Sequence, residues 1–358
     1  MKRSLTAAIV LACVWLWLFG PRISSQARGS LPPAFTYSPI VANLIAQVQS
    51  ADVYSYVARL SGEAPIVVAG QTITLSTRNS RSGVPIQQAT QYAYDQMQAA
   101  GLSVSFHTYT ACSITNGRNV IGTITGTLTP NEIVLITAHL DDMPSTGRAP
   151  GADDNASGSL GVLLAAQLMH GQLFERTVRF VLFTGEEQGL CGSGAYADTV
   201  FAAGDNIVAV YNLDMIAWDG TGGPTLQLHT RTTGNTGYPA DLVIAGVFTN
   251  VVQTYGLSGN LTPIISADGE SASDHSEFWA KGYPAILAIE DDYTDFNPYY
   301  HTINDNLTHI NLTYFTNFVK ASVGTAAHLA RPSQALLMGL VTDAQSNAPL
   351  AGARVWAT

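Results

Sequence analysis

The sequence predicts an α/β fold with a doubly wound, mostly parallel sheet and helices on both of its faces. Continuous apolar runs alternate with helical patterns along most of the chain, and such runs are typical of strands that are buried on both faces. Hydrophobic residues make up 46% of the 358 residues, which is enough for a large core. Charged residues make up only 12%, and this low fraction excludes global disorder.

The individual elements follow from these patterns in chain order. Residues 40–60 and 86–101 predict two helices, and the second is expected to end at Gly101 because glycine commonly stops helices. The runs at 102–110 and 119–128 predict early, partly antiparallel strands. Beyond them strands are predicted at 132–139, 178–184, 208–216 and 284–290, and helices at 157–170, 189–201, 241–256 and 312–330.

The start of the chain has the features of an export signal. Basic residues precede an apolar stretch over residues 5–20, and a small-x-small motif at 25–27 follows it. The stretch is shorter than the roughly 20 apolar residues of a comfortable membrane span. Residues 1–27 therefore predict a cleaved signal peptide and a secreted, periplasmic or extracellular protein. An uncleaved membrane anchor through residues 5–20 is the alternative.

A domain boundary is predicted after the closing helix. Residues 28–331 hold the α/β domain. Residues 332–358 carry Gly, Pro and Asn turns between short alternating runs, which are too short to bury a core of their own. They resemble the opening strands of a carboxypeptidase regulatory-like β-sandwich module, which we expect to continue in a longer protein. A C-terminal hairpin packed on the main domain is the alternative.

Charge and cysteine content limit the partners and the chemistry. The formal net charge is −10 and no cluster of Lys and Arg is visible, which argues against nucleic acid and anionic membrane surfaces as partners. Beyond the predicted signal only Cys112 and Cys191 remain, without a CxxC motif, so a thiolate zinc site is excluded. In an oxidising compartment these two cysteines can pair. Two buried free thiols are the alternative.

Metal-ligand side chains follow several of the predicted buried strands. Ligands of open α/β sheets bind at the carboxyl ends of the strands, so side chains in these positions are expected to converge. A mixture of imidazole and carboxylate suits zinc best, with manganese and cobalt as alternatives. The residues concerned are His139 and Asp141, Asp154 in GADDNASG, Glu186 and Glu187, Asp214, and His301.

The charges of these residues favour a pair of divalent ions with a hydroxide between them. Two ions bring four positive charges, and three ligating carboxylates bring three negative ones, so one bridging hydroxide makes the site neutral. Five ligands suffice if one carboxylate serves both ions. In that plan His139 and Asp214 hold one ion, Glu187 and His301 hold the other, and Asp154 lies between them.

Two neighbouring acids acquire roles from their spacing. Asp141 is placed to accept the second ring N–H of His139 and so to fix the tautomer of that ring. Glu186 cannot easily ligate the same ion as Glu187, because adjacent side chains leave the backbone in different directions. It is the natural general base, taking a proton from a water and returning it to a leaving amine. The remaining histidines show no partner pattern and are assigned to surface or packing positions: His107, His170, His229, His309 and His328.

Six motifs in the right order resemble the secreted di-zinc aminopeptidases of the M28 peptidase family. They are AHLDD, PGADDNASG, FTGEEQGLCGS, NLDMI, SDHSEFW and YYHTINDN, within roughly residues 40 to 330. The resemblance implies the zinc-dependent exopeptidase fold, two Zn²⁺ per chain, the five ligands given above and Glu186 as the catalytic base. It also selects Asp154 over Asp153 as the bridging ligand, and His301 over His275 as a ligand.

The resemblance further implies a substrate pocket. The stretch before SDH carries Asp268 and Glu270, where relatives that prefer leucine carry cysteines and a tyrosine. We therefore expect a mainly apolar pocket with an acidic rim that attracts a free α-amine or a basic side chain. A solvated acidic loop is the alternative. The positions that match the family's apolar pocket are Met215, Leu287, Ile289, Tyr293 and Tyr300.

The expected function is that of an exported zinc metallo-exopeptidase. The resemblance favours an aminopeptidase that hydrolyses the N-terminal residue of peptides with a free N-terminus. Related peptidases that remove C-terminal glutamate or cleave dipeptides are alternatives within the same chemistry. A glutaminyl cyclase with one zinc, and a non-catalytic receptor or scaffold module, are alternatives outside it. The complete set of five ligands favours the hydrolase.

Overall fold

The computed structural model describes residues 35–144, 147–221 and 223–333, together with the single positions 346 and 348. The predicted signal at 1–27 and all but four residues of the predicted module at 332–358 lie outside the described residues. In the described part of the chain, no helix combines the length and the apolar character needed to cross a bilayer.

A mixed sheet of eight strands forms the centre of the domain, and a separate antiparallel pair lies outside it. The pair is β1 (Ile66–Val68) and β2 (Gln71–Ile73). The sheet strands are β3 (Ser103–Ala111), β4 (Ile114–Ile124), β5 (Thr129–His139), β6 (Arg176–Phe183), β7 (Asn206–Leu213), β8 (Thr225–His229), β9 (Thr262–Ser266) and β10 (Ala285–Glu290).

The order of the sheet is β3-β4-β6-β5-β7-β10-β8-β9. The four central strands β6, β5, β7 and β10 run parallel to one another. β4 pairs antiparallel with β6 on one side, and β8 pairs antiparallel with β10 on the other. The predicted α/β fold with a mostly parallel sheet is thus confirmed, and so are the early antiparallel strands. Strands β8 and β9 were not predicted from the sequence.

Eight helices pack against the sheet and one another in the described residues. The single helix predicted over 40–60 is wrong, because the structure divides it into two. The chain turns at residues 47–49, where Gln49 has extended backbone angles and its side-chain amide donates to the Ala46 carbonyl at 2.8 Å. The helices are α1 (Pro39–Ala46), α2 (Ser50–Leu60), α3 (Val84–Ala99), α4 (Ala156–Met169), α5 (Cys191–Ala203), α6 (Tyr238–Thr254), α7 (His275–Ala280) and α8 (Leu312–Ala330).

Helices cover both faces of the sheet, which explains the continuous apolar strands. Successive side chains of a strand point to opposite faces. In β5, Val134 and Ile136 belong to the larger core, to which α4, α6 and α8 contribute. Ile133 and Leu135 belong to a smaller core on the other face, with side chains from α5 and α7. Each such buried aliphatic side chain stabilises the fold by about 1.5–3 kcal/mol.

The topology brings the predicted ligands to one edge of the sheet. β5 lies between β6 and β7, so the carboxyl ends of all three strands are adjacent. His139 is the last residue of β5, Asp214 directly follows β7, and Glu187 lies four residues beyond β6. Asp154 lies two residues before α4, and His301 lies in the long connection between β10 and α8.

Candidate metal centre

One half of the candidate site is formed by side chains that follow β5 and β7. His139 is 1% exposed. Its Nε2 atom lies 3.1 Å from Asp214 Oδ1 and 3.3 Å from Asp154 Oδ1. An imidazole nitrogen and two carboxylate oxygens within this range are suitably placed to share one cation.

The other half is formed by His301 and Glu187. The Nε2 atom of His301 lies 2.9 Å from Glu187 Oε2 and 3.2 Å from Asp154 Oδ2. Asp154 therefore offers one oxygen to each half of the site. The structure thus brings the five candidate side chains together, with His139 beside Asp214 and His301 beside Glu187.

The position of Asp154 is fixed through its backbone. The amide groups of Asp153 and Asp154 both donate to the carboxylate of Asp305, each at 2.9 Å. Asn155 caps α4, and its side-chain oxygen accepts from the Gly158 amide at 2.8 Å. These contacts hold the Asp154 carboxylate at the positive end of the α4 dipole, where negative charge is stabilised.

The electrostatics of the cluster fit a cation. Burial raises the pKa of Glu187 to about 8, and the charge of Asp154 adds to the shift. Burial lowers the pKa of His301, but its hydrogen bonds to Asp154 and Glu187 outweigh burial and raise it to about 10. Glu187 Oε1 is buried and accepts no hydrogen bond from the described residues. A buried carboxylate oxygen of this kind is costly unless a cation or a donor compensates it.

Glu186 lies on the side of the first half. Its Oε2 atom is 4.0 Å from His139 Nε2, and its carboxylate forms a compact group with His139 and Asp214. Burial raises the pKa of Glu186 well above its ordinary value, against the opposing charge of His139. Glu186 thus lies beside His139, whereas the adjacent Glu187 contacts His301.

The role predicted for Asp141 needs correction. The second ring nitrogen of His139 contacts the Asp141 backbone carbonyl at 3.1 Å, whereas the nearer carboxylate oxygen is 3.7 Å away. The carboxylate instead accepts from the Ser80 hydroxyl at 3.0 Å and from the Gly185 amide at 2.9 Å. It also accepts from the Glu186 amide at 3.3 Å. Asp141 therefore positions the backbone of Glu186, because the buried amides of that turn need an acceptor.

Several residues that support the site were missed or left without a role in the sequence. Ser273 of the SDH motif donates to Asp214 Oδ2 at 2.7 Å. Asp305 lies four residues after His301 in the YYHTINDN motif. Its place in that motif was the only sequence feature that pointed to a role at the site. Arg78 is fully buried and donates to the carbonyls of Leu140 and Gly151, beside the segments that carry His139 and Asp154. No sequence pattern pointed to this arginine.

His275 has no ligand geometry, in agreement with the choice of His301. Its ring is fully buried, and its Nε2 atom contacts the Glu270 carbonyl at 2.8 Å. The ring packs edge-on against Trp279 with centroids 4.4 Å apart. His275 therefore anchors the segment that precedes the SDH motif.

The predicted apolar pocket residues fall into two groups. Met215, Leu287 and Ile289 form a compact buried cluster, hereafter the apolar floor. Tyr293 and Tyr300 lie on the connection after β10 and remain 58% and 39% exposed. The ring of Tyr300 stacks on that of His301 with centroids 3.6 Å apart, so this tyrosine borders the metal-ligand cluster.

Both acids of the predicted rim contact other groups of the protein. Asp268 forms an ion pair with His229 at 3.0 Å and accepts a hydrogen bond from the Tyr293 hydroxyl. The carboxylate of Glu270 turns back to accept from the amides of Ser271 and Ala272, at 2.7 and 2.8 Å. Both acids thus hold their own segment. His229, which was assigned to a surface or packing position, is fully buried and has two acidic partners.

A sequence profile of peptidase family M28 matches residues 119–326, which is more than half of the chain. The chain belongs to peptidase family M28. A protein named probable leucine aminopeptidase from Trichophyton verrucosum (strain HKI 0517) is 29% identical to this M28 chain over 226 residues, 60% of the chain. The match spans 58% of that relative, so the chain covers little more than half of its length.

Solved structures share the M28 fold described above. The LapA aminopeptidase of Legionella pneumophila is similar with a TM-score of 0.67 and 21% identity, covering 85% of this chain and 79% of that one. A Bacteroides thetaiotaomicron glutaminyl cyclase is similar with a TM-score of 0.60 and 18% identity, covering 78% of this chain and 97% of that one. The same fold therefore accommodates both names, and the choice between them depends on the site.

Proposed function

We propose that this M28 chain is an exported zinc exopeptidase that removes the N-terminal residue of peptides. The observation that carries the proposal is the position of Asp154 between two histidine–carboxylate pairs. One of its oxygens faces His139 and Asp214, and the other faces His301 and Glu187. Such an arrangement suits a bridging ligand of a two-metal site, and paired metals are typical of aminopeptidases.

The donor set supports zinc as the metal and two ions as its number. Zinc prefers imidazole nitrogen and carboxylate oxygen in sites of this composition. His139 and Asp214 would hold one ion, His301 and Glu187 the other, and Asp154 both. Supporting contacts fix these ligands, with the Asp141 carbonyl on His139 and the Ser273 hydroxyl on Asp214.

Glu186 performs the proton transfers in this proposal. Zinc, when bound, supplies Lewis acidity that polarises a carbonyl group and acidifies a water. The carboxylate of Glu186 accepts a proton from the attacking water, holds it, and donates it to the nitrogen of the leaving amine. Burial raises the pKa of Glu186, which makes its carboxylate a stronger base toward the proton of the water.

The residues around the site support a peptide with an apolar N-terminal residue as the substrate. The apolar floor lies on the sheet beside Asp214, because Met215 follows that residue directly. The acidic groups of the cluster favour a free α-ammonium group nearby. An N-terminal residue with an apolar side chain suits both, because its side chain matches the apolar floor and its α-ammonium group matches the acidic cluster.

Export is supported by the apolar stretch at 5–20 and by a disulfide. The structure joins Cys112 to Cys191, with Cα atoms 6.2 Å apart. Disulfides persist mainly in oxidising compartments. N-terminal sequencing of the exported protein tests the proposal: a start soon after residue 27 supports a cleaved signal, and retention of residues 5–20 in the membrane fraction supports the anchor.

Mass spectrometry of a peptide mixture tests the activity. The zinc-loaded protein is incubated with peptides that carry a free, an N-acetylated or a glutamine N-terminus. We expect loss of one N-terminal residue from free peptides only. Glu186→Ala should lower the rate by about 10²–10⁴-fold while leaving the zinc content unchanged.

Two outcomes would replace the proposal. Loss of ammonia from glutamine peptides alone would identify a cyclase, the activity for which a fold neighbour is named. No change in any peptide, together with unchanged thermal stability on addition of zinc, would favour a scaffold role, because a specific ligand stabilises the folded state that binds it.

A further inference from the structure

A buried histidine lies beside the apolar floor. His229 ends β8 and is fully buried. In the antiparallel pairing of β8 with β10 it stands directly opposite Leu287. Side chains that lie opposite each other in such a pair project from the same face of the sheet. The imidazole of His229 is therefore a direct neighbour of the floor that Leu287 forms with Met215 and Ile289.

The two ring nitrogens of His229 face carboxylates from two different segments. Nδ1 lies 3.0 Å from Asp268 Oδ2, in the segment between β9 and α7. Nε2 lies 3.1 Å from Asp292 Oδ2, in the segment that follows β10. Tyr293, next to Asp292, donates its hydroxyl to Asp268, so the two segments also touch each other. The three residues His229, Asp268 and Asp292 are hereafter the His229 clamp.

The uncharged side chain of Gln227 forms a second set of contacts beside the His229 clamp. Gln227, two residues earlier on β8, donates its side-chain amide to Asp291 at 3.2 Å. Its oxygen accepts from the hydroxyl of Ser266, the last residue of β9, at 2.8 Å. Strand β8 thus connects the same two segments twice, once through an amide and once through an imidazole. Only the imidazole can change its charge near neutral pH.

We propose that His229 is a positioning residue whose clamp holds the two segments against the apolar floor and sets a preference for apolar N-terminal residues. The inference rests on the proposed aminopeptidase function. It assigns a specificity role to a histidine that touches no metal ligand in the contacts above.

The preference follows from charge compensation. Asp268 and Asp292 are both less than one-third exposed, at 32% and 17% of their side chains. The positive charge of a protonated His229 offsets one of the two carboxylates, so the three groups together carry one net negative charge. Both carboxylates then face His229 rather than the pocket. Without the imidazolium, two uncompensated carboxylates would lie beside the apolar floor. Their bound water would disfavour an apolar side chain in the pocket, and their charge would attract a cationic one.

The clamp has a pH window that the geometry defines. The groups facing His229 are Asp268, Asp292 and Tyr293, together with His275 of α7. Burial lowers the pKa of His275 to about 3, so that ring is neutral. Burial also lowers the pKa of His229, but the pairs with Asp292 and Asp268 outweigh it and place the pKa above the ordinary 6.5.

The sign of the pH effect follows from these directions. Because the folded-state pKa of His229 is raised, its clamp contributes full stabilisation below 6.5 and loses it as the pH rises through the folded value. The hydrogen bonds to Asp268 outweigh burial and lower its pKa below 3.8, so its contribution is lost only in acid. The clamp is therefore closed in weak acid, and it opens as the pH rises through the raised pKa of His229.

The test combines kinetics with hydrogen exchange on the zinc-loaded full chain. His229→Gln, Asp292→Asn and, as a control, His328→Gln are compared with the wild type. His328 is a partly buried histidine on α8 that contacts the Tyr255 hydroxyl at 2.9 Å and lies outside the clamp. Leucine and lysine p-nitroanilides serve as probes over a range of pH, and exchange is followed in the segments at 266–272 and 291–300.

For His229→Gln we expect faster exchange in both segments and a KM for the leucine probe raised about tenfold, the factor carried by one charge-assisted hydrogen bond. The kcat should change little, because the ligands and Glu186 are untouched. The lysine-to-leucine ratio of kcat/KM should rise. The wild type should approach these values in alkali, whereas the variant should show no such transition. Asp292→Asn should shift exchange and KM in the same direction, and His328→Gln should not.

Failure of the clamp and failure of the proposed function give different results. If the wild type releases N-terminal residues but neither His229→Gln nor Asp292→Asn alters exchange or the KM, the clamp is wrong. If the wild type cleaves neither probe and exchange still responds to these substitutions, the clamp exists and the aminopeptidase proposal is wrong. If His229→Gln does not fold, the result for Asp292→Asn decides alone.

Discussion

The two halves of the candidate metal centre are built differently. His139 ends the central strand β5, and its side chain is only 2% exposed. His301 lies in the connection between β10 and α8, and its side chain is 34% exposed. One half is therefore fixed by the sheet, whereas the other depends on a loop that is open to solvent. Loops bring functional groups to the surface at the cost of local stability, so we expect the two halves to hold metal with unequal affinity.

The largest effects are expected when His139 and His301 are replaced by alanine, one at a time. His139→Ala leaves three buried carboxylates without their shared cationic or metal partner, which should destabilise the fold by about 3–5 kcal/mol and abolish metal binding at that half. His301→Ala should leave a folded protein that retains one zinc ion and loses roughly 10²–10³-fold in kcat, the effect of one lost electrostatic stabiliser.

Metal content after dialysis against a weak chelator, together with thermal unfolding, measures both effects. Asp154, whose two oxygens face the two halves, supplies a matched reference, since Asp154→Ala should empty both halves. Equal metal retention and equal stability in the two histidine variants would show that the halves are equivalent, and the contrast between strand and loop would then carry no functional weight.

Arg78 supports the buried half, and its removal should have the next largest effect. Its guanidinium donates to four main-chain carbonyls and lies 3.4 Å from Asp142. Arg78→Met should cost about 3–5 kcal/mol, because a buried carboxylate loses its partner. Zinc affinity should fall about 10–100-fold, as for other groups that orient ligands.

The pH dependence of the Arg78→Met effect follows from Asp142. Burial raises the pKa of Asp142 to about 6, although Arg78 lowers it. Stability conferred by the protonated carboxyl is lost as the pH rises above 3.8 through the folded value, and without Arg78 this loss should be larger. Urea unfolding at several pH values measures it. Restoration of zinc affinity by Arg78→Lys would argue for charge alone, whereas the four carbonyl contacts predict incomplete rescue.

The disulfide supports the exposed half, where a smaller effect is expected. Cys191 begins α5, four residues after Glu187, and its partner Cys112 lies in the turn between β3 and β4. The bond closes a sequence separation of 79 residues, for which chain entropy predicts a stabilisation of about 4 kcal/mol, with typical measured values of about 2–4 kcal/mol.

Replacing both cysteines by alanine should lower the unfolding temperature and weaken zinc binding at the half that contains Glu187. Addition of a reductant should destabilise the wild type and leave the double variant unchanged, which serves as the control. Unchanged zinc affinity in the double variant would restrict the disulfide to a role in overall stability.

The contrast between the halves also explains what the sequence could predict. The candidate ligands that follow β5, β6 and β7 were predictable because buried parallel strands have continuous apolar sequences and their carboxyl ends converge. His301 follows a long irregular connection, so only the resemblance of its motif distinguished it from His275. The role predicted for Asp141 was wrong because its backbone carbonyl and its carboxylate are both within reach of His139. The spacing in the sequence does not show which of the two makes the contact.

Contacts between segments that are distant in the chain were beyond reach of the sequence. His229 was assigned to a surface or packing position because its partners, Asp268 and Asp292, lie 39 and 63 residues away, on segments whose strands were not all recognised. The break between α1 and α2 was missed because the apolar pattern continues through Val48, which is itself buried. In both cases tertiary packing decided what local pattern left open.

The smallest effect is predicted for Glu270, the other half of the expected acidic rim. Its carboxylate accepts from the amides of Ser271 and Ala272, and its carbonyl is held by His275. Glu270→Gln keeps an oxygen acceptor for both amides, so the ratio of kcat/KM for lysine and leucine probes should change less than about threefold, within the range of an exposed charge. A large loss of lysine turnover would mean that the carboxylate leaves its own backbone to meet the substrate, and the rim would then be a recognition surface after all. A small change, beside a large one for His229→Gln, would show that the His229 clamp and not the Glu270 carboxylate determines the specificity.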